Sequence, residues 1–283
     1  MPPTAPDHDV APLTGVEVVT IAVNLPGPAA VARLAALGAH VVKVEPPAGD
    51  PLAVYTRGAY DELSFGQDVV AIDLKSSEGQ AHLHRLLEGA DVLVSSHRRS
   101  ALTRLGLGWE DLHVAHPRLV HVAIVGQPGA GADVPGHDLT YQAVNGLIDG
   151  TNPPRVLVAD LAGADRAALE AVAALLGRGV SGPGRLVEVA LSEAAHDMAR
   201  PLRWGMTSPG GLLAGGFPAY GIYPSADGRV AVAALEPHFH RRLLEALAVD
   251  DSADALAACF ATRTGAEWQQ WAAEHDLPLE VVA

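Results

Sequence analysis

The segment VEVVTIAVNLPGPAAVARLAALGAHVVKV, residues 16–44, holds two β-branched apolar runs on either side of an alanine-rich stretch. The runs at 16–23 and 41–44 predict two buried strands. Gly27 and Pro28 are typical of a helix start and Gly38 of a helix end, so residues 29–37 are predicted to be helical between the strands. A strand, a helix and a second strand in this order predict a βαβ unit, which requires a parallel sheet.

The same alternation continues along the first two thirds of the chain. Further strands are predicted at 68–74, 91–94, 119–125 and 185–190. A helix capped by a serine is predicted at 76–87. Helices are also predicted at 138–147 and, rich in alanine, after Asp160 as far as Leu176. We therefore predict an α/β fold whose parallel sheet is doubly wound, with helices on both faces.

The last third of the sequence has a different character. A glycine-rich loop at 209–216 precedes two short strand patterns that flank Ser225-Ala226-Asp227-Gly228, which is typical of a β-hairpin. Helices follow, including 265–275, and the apolar tail at 277–283 is expected to pair within the chain or with a second subunit. We predict a large α/β domain at 1–200 and a small α+β domain, with a short C-terminus, at 201–283.

Composition excludes several classes of function. The chain has 283 residues, of which 49% are hydrophobic, and a net charge of -14, which argues against a nucleic-acid partner. Its start lacks the features of a signal peptide and no apolar run reaches membrane-spanning length, so we expect a soluble cytoplasmic protein without a membrane partner. The single cysteine, Cys259, excludes a multi-cysteine zinc site and is expected to pack in an apolar environment; no metal is expected.

Sequence motifs for common enzyme classes are absent. Neither GxGxxG nor GxxxxGK[ST] occurs, and the sequence contains no HExxH and no GxSxG. General acid/base chemistry remains open as an enzymatic class.

A more specific indication comes from five segments that follow one another along the chain. Residues 12–47 are followed by IDLKSSEG at 72–79, ADVLV at 90–94, RLGLG at 104–108 and HPRLV at 116–120. Each segment is weakly diagnostic, but the ordered series resembles the class III CoA-transferases and their relatives, the α-methylacyl-CoA racemases. The resemblance covers almost the whole chain.

Four further segments distinguish the two branches of that family. GHDLTY at 136–141, GGFPAY at 215–220 and LEPHF at 235–239 are similar to the racemase branch, and VADLAG at 158–163 resembles the segment with the catalytic aspartate in both branches. The resemblance implies that His137 and Asp160 are the proton carriers. It also implies that Glu236 is the partner of His137 and that Tyr220 lies nearby.

The resemblance further implies how the substrate is held. Coenzyme A would enter as part of the acyl-thioester substrate, with no separate cofactor. Lys75, Arg98 and Arg104 match family positions near its nucleotide or pantetheine, and the expected wall residues are Asn24, Leu25, Ile72, Ser96 and His97. Family members form interlocked homodimers, which implies the same here.

The chemistry of these residue types fits inversion of a carbon centre. Inversion requires one acid/base group on each face of a planar intermediate, and histidine suits this role near neutral pH. A carboxylate can serve on the other face if burial raises its pKa. Asp160 is expected to precede a helix, so its backbone N–H and those of its neighbours are candidate donors to an enolate oxygen. Taken alone, Asp160 is more typical of a helix N-cap and Glu236 of a first-turn acid.

Some positions depart from the family pattern. SFGQD at 64–68 replaces a stretch that is normally basic, and Pro46 stands where a basic residue is common. Val156 and Gly221 replace a polar residue and an acid that racemases tend to have, and the chain is shorter than most relatives. Several charge-assisted hydrogen bonds to phosphate are therefore expected to be missing.

Three functions remain open on the sequence alone. The first is epimerisation of a 2-methylacyl-CoA thioester through an enolate. The second is CoA transfer between carboxylic acids with Asp160 as the nucleophile. The third is a catalytically silent subunit, which the lost basic residues suggest. His137 separates the first two, because transferase chemistry does not need it.

Overall fold

A computed structural model of the chain describes residues 11–282, apart from the side chains of residues 180 and 181. The extreme N-terminus, on which the signal-peptide argument rested, lies outside these residues. The chain divides into two compact units between Met198 and Ala199. In the part of the chain that is described, no helix is both long and apolar enough to cross a membrane.

The first unit is built on one parallel sheet. Its strands are β1 (Glu17–Thr20), β2 (His40–Glu45), β3 (Asp68–Ala71), β4 (Val92–Ser95), β5 (Val120–Val125) and β6 (Leu186–Ala190). Their spatial order is β3-β2-β1-β4-β5-β6, and every neighbouring pair is parallel. The order reverses between β1 and β4, so the sheet is doubly wound, as predicted.

Helices cover both faces of this sheet. They are α1 (Pro26–Ala36), α2 (Pro51–Tyr55), α3 (Arg57–Leu63), α4 (Ser77–Leu87), α5 (Arg99–Arg104), α6 (Trp109–Ala115), α7 (Asp138–Val144), α8 (Val158–Ser181) and α9 (Leu191–Met198). Val18 belongs to the core that contains α1 and α8, whereas its neighbour Val19 belongs to the core that contains α4 and α6. Successive residues of a strand point to opposite faces, so the apolar run of β1 fills both cores.

Local chemistry explains where two of these elements end. Gly38 follows α1 with φ at +98°, and a Cβ at this position would lie 2.4 Å from Cβ of Ala11. The strand predicted at 68–74 ends at Ala71, because the chain turns at Asp73. The Oδ1 atom of Asp73 accepts the N–H of Lys75 at 3.0 Å, and its carbonyl accepts the N–H of Ser76 at 3.0 Å.

The second unit has a small antiparallel sheet and four helices among its described residues. The strands are β7 (Tyr220–Pro224), β8 (Arg229–Ala233) and β9 (Leu279–Val281), and the helices are α10 (Arg200–Arg203), α11 (Pro237–Leu247), α12 (Ala253–Phe260) and α13 (Gly265–Glu274). The predicted hairpin is confirmed, since β7 pairs with β8. The apolar tail pairs within the chain as β9, in register with β8.

Aromatic side chains hold this second unit together. Trp268 is buried, stacks edge-on to Phe260 and donates its Nε1–H to the Phe260 carbonyl at 2.8 Å. Asp227 in the hairpin accepts the N–H of Gly265 at 2.8 Å, which ties the turn to the start of α13. Cys259 is half-buried against this core, in agreement with its expected packing role.

Candidate active site

The topology of the large sheet determines where a ligand can bind. In doubly wound sheets the ligand site is a crevice at the carboxyl ends of the strands, where the strand order reverses. Here that point lies between β1 and β4, and the chain after these strands contributes Val23 and His97 to two adjoining cavities of about 960 and 800 Å³. These volumes are within the usual range for small-molecule sites.

The larger cavity, called the cationic groove, contains four residues that the resemblance places near coenzyme A. They are Ile72, which is buried, His97, which is half-buried, and Lys75 and Arg104, which are exposed. Neither cation has an ion-pair partner among residues 11–282. The groove therefore offers two cations without ion-pair partners to a polyanion, although Glu45 and Asp73 also line it and the chain as a whole has a net charge of -14.

The smaller cavity, called the acid/base cavity, brings together most of the other predicted site residues. These are Asn24, Leu25, Ser96, His97, Arg98, His137 and Asp160. The two predicted proton carriers thus line the same cavity although 22 residues of loop and helix separate them along the chain. A ligand in this cavity would have an imidazole and a carboxyl group at its walls.

His137 stands at the N-terminus of α7. Its backbone N–H donates to the Thr140 hydroxyl oxygen at 3.1 Å, and that hydroxyl donates to the His137 carbonyl at 2.7 Å. These bonds use main-chain atoms of His137 and leave the imidazole exposed at the wall of the cavity. The helix start therefore fixes the backbone from which the ring projects.

Asp160 occupies a different position in its helix from the one expected. It is the third residue of α8 rather than the N-cap, which is Leu157. Its backbone N–H donates to Oδ1 of Asp138 at 3.1 Å, and the N–H of Ala159 donates to the same oxygen at 2.7 Å. The expectation that the Asp160 N–H serves an enolate oxygen is wrong, because Asp138 already occupies that donor.

Burial and a neighbouring charge alter the acidity of Asp160. Partial burial of the carboxyl group, followed by the charge of Asp138, raises the pKa of Asp160 to about 6. Asp138 remains in place because its Oδ2 accepts a hydrogen bond from Gln142 Nε2 at 2.5 Å. A carboxyl group with this pKa can both release and accept a proton near neutral pH.

Tyr141 also lines the acid/base cavity, and the sequence analysis missed it as a site residue. Burial and the charge of Asp160 raise the pKa of its hydroxyl. The backbone of Gly126 and Gly136 passes so close that a Cβ at either position would lie 2.2 or 2.4 Å from the Tyr141 oxygen. The presence of Tyr141 in the GHDLTY segment was the signal that could have identified it.

The loop after β1 is held by a buried ionic cluster. Asn24 has a left-handed backbone with φ at 68°, and its N–H donates to Oδ1 of Asp50 at 2.9 Å. The other oxygen of Asp50 accepts Lys43 Nζ at 2.7 Å, and Lys43 also bonds Glu45 at 2.5 Å. This set of bonds fixes the backbone at the wall of the acid/base cavity, a long-range feature that the sequence analysis did not predict.

The Ser96 side chain links the segment after β4 to the segment after β1, at the switch point of the sheet. Its hydroxyl oxygen accepts the N–H of Val23 at 3.1 Å. His97 follows and contributes to the walls of both cavities. The chain after β4 therefore forms part of the boundary between the cationic groove and the acid/base cavity.

Two predicted site residues belong to the second unit. Tyr220 is the first residue of β7 and is half-buried. Glu236 is the N-cap residue of α11, is exposed, and makes no side-chain capping bond. Within the first unit the structure assembles His137 and Asp160, whereas the roles of Tyr220 and Glu236 rest on the resemblance.

The departures from the family pattern fall in different places. Pro46 lines the cationic groove. Phe65 is 87% exposed, and Gln67 donates to the Leu63 carbonyl at 2.6 Å; neither lines the cationic groove or the acid/base cavity. Val156 is exposed, and its carbonyl accepts Gln142 Nε2 at 2.8 Å. Of these positions, Pro46 is the one that removes a basic side chain from the groove itself.

Comparison with known proteins identifies a family. The model of CoA-transferase family III matches residues 13–283. Human α-methylacyl-CoA racemase is 32% identical in an alignment of 290 residues, gaps included, that covers 91% of this chain and 74% of the human protein. The succinate–glutarate CoA-transferase of Agrobacterium fabrum is 30% identical over 278 residues, which cover 86% of this chain and 68% of that enzyme.

Solved structures agree with this assignment at the level of the fold. A hypothetical protein from Mycobacterium tuberculosis is 26% identical, with a TM-score of 0.82, over 96% of this chain and 84% of that chain. A CAIB/BAIF family protein from Brucella suis superimposes with a TM-score of 0.83 at 22% identity, over 96% of this chain and 84% of that chain. The expected combination of a parallel sheet with a smaller α+β unit is therefore confirmed.

Proposed function

The chain belongs to CoA-transferase family III, and we propose that it interconverts the epimers of 2-methylacyl-CoA thioesters by proton transfer at the α-carbon. One observation supports this function above the others: His137 and Asp160 line the same cavity at the switch point of the sheet. The similarity to α-methylacyl-CoA racemases over most of the chain supports it as well.

The proposed reaction moves one proton off the substrate and one onto it. Either His137 or Asp160 removes the α-proton, which leaves an enolate of the thioester. The other residue then donates its proton to the opposite face of the α-carbon. The pKa of Asp160, raised to about 6, suits a group that must change protonation state in each turnover near neutral pH.

We propose that coenzyme A binds as part of the substrate and that no separate cofactor takes part. Lys75 and Arg104 in the cationic groove, with Arg98 in the acid/base cavity, would contact its phosphates and pantetheine. Positive side chains without ion-pair partners favour binding of a polyanion.

A homodimer and a role for Glu236 belong to the same proposal. Glu236 would accept a hydrogen bond from His137 and hold one tautomer of its imidazole, which is how carboxylates commonly orient catalytic histidines. Sedimentation at micromolar concentration should give a dimer, and a monomer would contradict this part of the proposal.

CoA transfer between carboxylic acids is a second candidate, because several relatives are CoA-transferases. In that reaction the Asp160 carboxylate attacks the thioester carbonyl, and the CoA thiolate leaves as a mixed anhydride forms. The thiolate then attacks the Asp160 acyl carbon, which releases the acid and leaves an aspartyl-CoA thioester. An acceptor carboxylate attacks this thioester and displaces the CoA thiolate, which leaves a second mixed anhydride on Asp160. The thiolate then attacks the acyl carbon of the acceptor, which forms the new CoA thioester and releases the Asp160 carboxylate. A pKa of about 6 leaves most of Asp160 ionised at neutral pH and is compatible with both reactions, whereas His137 in the same cavity favours the first.

A parallel assay tests both reactions. The protein is incubated with one epimer of a 2-methylacyl-CoA, with and without an acceptor acid, and the products are separated on a chiral column. We expect the second epimer to form without an acceptor, and this activity to fall about 10²–10⁴-fold in His137→Ala. The matched control is His82→Ala, at an exposed position of α4. A new acyl-CoA that forms only with an acceptor would support the transferase. The absence of both products would support a silent subunit.

A further inference from the structure

Glu45, the last residue of β2, has a carboxylate oxygen without a partner in the part of the chain that the structure describes. Its side chain is 10% exposed. The Oε1 atom accepts hydrogen bonds from Lys43 Nζ at 2.5 Å and from the Tyr60 hydroxyl at 2.9 Å. The Oε2 atom accepts none from residues 11–282, yet it retains accessible surface. A carboxylate oxygen that is largely buried, accessible and without a donor can accept a hydrogen bond from a ligand.

The free oxygen of Glu45 lies at the wall of the cationic groove. Glu45 lines this groove and does not line the acid/base cavity. Gly49, in the turn after β2, lines the same groove. A Cβ on Gly49 would lie 3.9 Å from Oε2 of Glu45, and beyond its chain neighbours it would meet no other atom within 4 Å. The space beside Gly49 is therefore open, and a ligand atom placed there lies next to Oε2.

The buried ionic cluster holds this carboxylate in one orientation. Lys43 is 1% exposed, donates to Asp50 at 2.7 Å as well as to Glu45, and lies 4.6 Å from the centre of the Tyr60 ring. Because Lys43 and Tyr60 both donate to Oε1, that oxygen faces the cluster and Oε2 remains for the groove. An acceptor fixed in advance loses little conformational entropy when a ligand binds.

The rest of the groove limits the chemical class of the donor. Lys75 and Arg104 have no ion-pair partner among residues 11–282, so the groove favours a ligand that carries negative charge and disfavours a cationic one. The apolar part of the wall suits the face of a planar ring; it includes Val44, Ile72, Leu74 and Leu105. A neutral amino group on an aromatic ring that is linked to phosphate meets these requirements.

The position of Glu45 relative to the acid/base cavity indicates which part of a long ligand it meets. The cationic groove and the acid/base cavity share Val23, Pro51 and His97. A ligand that occupies both cavities passes these three residues, and its reacting end lies beyond them. Glu45 and the two free cations line the groove alone. They therefore face the phosphate-bearing end of such a ligand.

We propose that Glu45 determines specificity in the cationic groove, where its Oε2 accepts a hydrogen bond from the exocyclic amino group of a nucleobase. The phosphates of the same nucleotide lie at Lys75 and Arg104. This inference rests on the proposed binding of coenzyme A, whose adenine carries such an amino group. Glu45 acts on substrate recognition and takes no part in the proton transfer.

Asp73 is a second acidic residue of the groove and the alternative acceptor. Its side chain is exposed, and its Oδ1 already accepts the N–H of Lys75 at 3.0 Å. A hydrogen bond to an exposed carboxylate replaces one to water and therefore discriminates weakly, whereas a bond to a largely buried carboxylate is stronger. Glu45 is thus the acidic residue of the groove that can distinguish an amino group from an oxygen.

Deamination of the ligand tests the contact without any change to the protein. The full chain is titrated calorimetrically with coenzyme A and with its deaminated form, in which hypoxanthine replaces adenine and a carbonyl oxygen replaces the amino group. Two acceptors then meet at Glu45, so we expect the deaminated form to bind about 10–100-fold more weakly. Equal affinities would overturn this inference and leave the proposed function intact. No binding of either ligand would overturn both.

Glu45→Gln converts the acceptor into a donor. Lys43 and Tyr60 donate to the Oε1 position and so retain the amide oxygen there, which places the amide NH₂ at the Oε2 position. Lys43 keeps Asp50 as its counter-ion, so we expect the variant to fold. It should bind the deaminated form more tightly than coenzyme A, which reverses the preference of wild type.

Asp73→Asn is the matched control, because it neutralises the other carboxylate of the same groove. It should retain the wild-type preference for coenzyme A over the deaminated form. Both variants are first compared with wild type by thermal unfolding. A folded Glu45→Gln protein that still prefers coenzyme A would contradict the proposal, and loss of the preference in Asp73→Asn would assign the amino group to Asp73 instead.

Discussion

The Oδ1 atom of Asp138 accepts a hydrogen bond from the backbone N–H of Asp160 at 3.1 Å, so the first turn of α7 caps the first turn of α8. The same oxygen accepts the N–H of Ala159. The charge of Asp138 also contributes, after burial, to the raised pKa of Asp160. One carboxylate therefore holds the backbone of the proposed acid/base residue and contributes to its proton affinity.

Replacing Asp138 with Asn should lower the pKa of Asp160. The amide oxygen can still cap α8, but the negative charge that opposes ionisation of Asp160 is removed. In the pH profile of kcat/KM for epimerisation, the acid limb should move to lower pH. Titration of the Asp160 carboxyl group by ¹³C NMR should report the same shift. Asp149→Asn, at an exposed position, is the control. An acid limb that stays in place would show that burial alone sets this pKa.

Replacing Asp160 with Asn should stabilise the protein at high pH. The pKa of Asp160 is about 6 in the folded protein and near its usual value of 3.8 in the unfolded chain, so ionisation opposes folding. The penalty is complete above pH 6 and disappears as the pH falls toward 4. The free energy of unfolding in urea should be about 1–3 kcal/mol higher for the variant than for wild type at pH 8, and nearly equal for the two at pH 4. A difference that does not change with pH would contradict the raised pKa.

Gly126→Ala should destabilise the protein through Tyr141. The new Cβ would lie 2.2 Å from the tyrosine oxygen but 3.3 Å from the ring carbon that bears it, so removing the oxygen relieves most of the clash. By thermal unfolding, we expect Gly126→Ala to lower the free energy of unfolding by roughly 1–3 kcal/mol when Tyr141 is present, and by much less in a Tyr141→Phe background.

Gly136→Ala provides the matched comparison for this double-mutant cycle. A Cβ at position 136 would lie 2.6 and 2.7 Å from two ring carbons of Tyr141 as well as 2.4 Å from its oxygen. Tyr141→Phe should therefore not rescue Gly136→Ala. Equal rescue at both glycines would mean that the tyrosine moves freely and is not held by the two backbone segments.

Lys75→Ala and Arg104→Ala should each weaken the binding of coenzyme A. Both cations line the cationic groove and have no ion-pair partner among residues 11–282, so each is available to a phosphate. By isothermal titration we expect roughly a ten-fold loss for each, with a weaker dependence on salt than wild type. Arg57→Ala, which breaks an exposed ion pair with Asp61, is the control. Unchanged affinity in both groove variants would place the nucleotide elsewhere.

The sheet could be predicted from sequence because it depends on local patterns. The β-branched runs of β1 and β2 and the glycine after α1 determine a βαβ unit by spacing alone. The resemblance then located His137 and Asp160, and the structure places both in one cavity.

Long-range contacts account for what the sequence did not reveal. Asp138 caps a helix that begins 20 residues later, and Asp50 holds the backbone of Asn24 across 26 residues. The N-cap expected at Asp160 was wrong because the cap comes from another helix. The Ser95–His121 bond joins neighbouring strands, and a pattern of buried strand residues does not show which polar side chains meet.

Exchange of the substrate α-proton tests the central claim most directly. The protein is incubated in deuterated water with one epimer of a 2-methylacyl-CoA, and the α-proton signal is followed by NMR together with the ratio of epimers. The account predicts that wild type incorporates deuterium and produces both epimers. It also predicts that His137→Ala and Asp160→Asn each abolish epimerisation, while the acid/base residue that remains in each variant can still support exchange on its own face of the α-carbon. Wild-type protein that moves CoA between two acids without deuterium entering the α-position would contradict the account and make Asp160 a nucleophile.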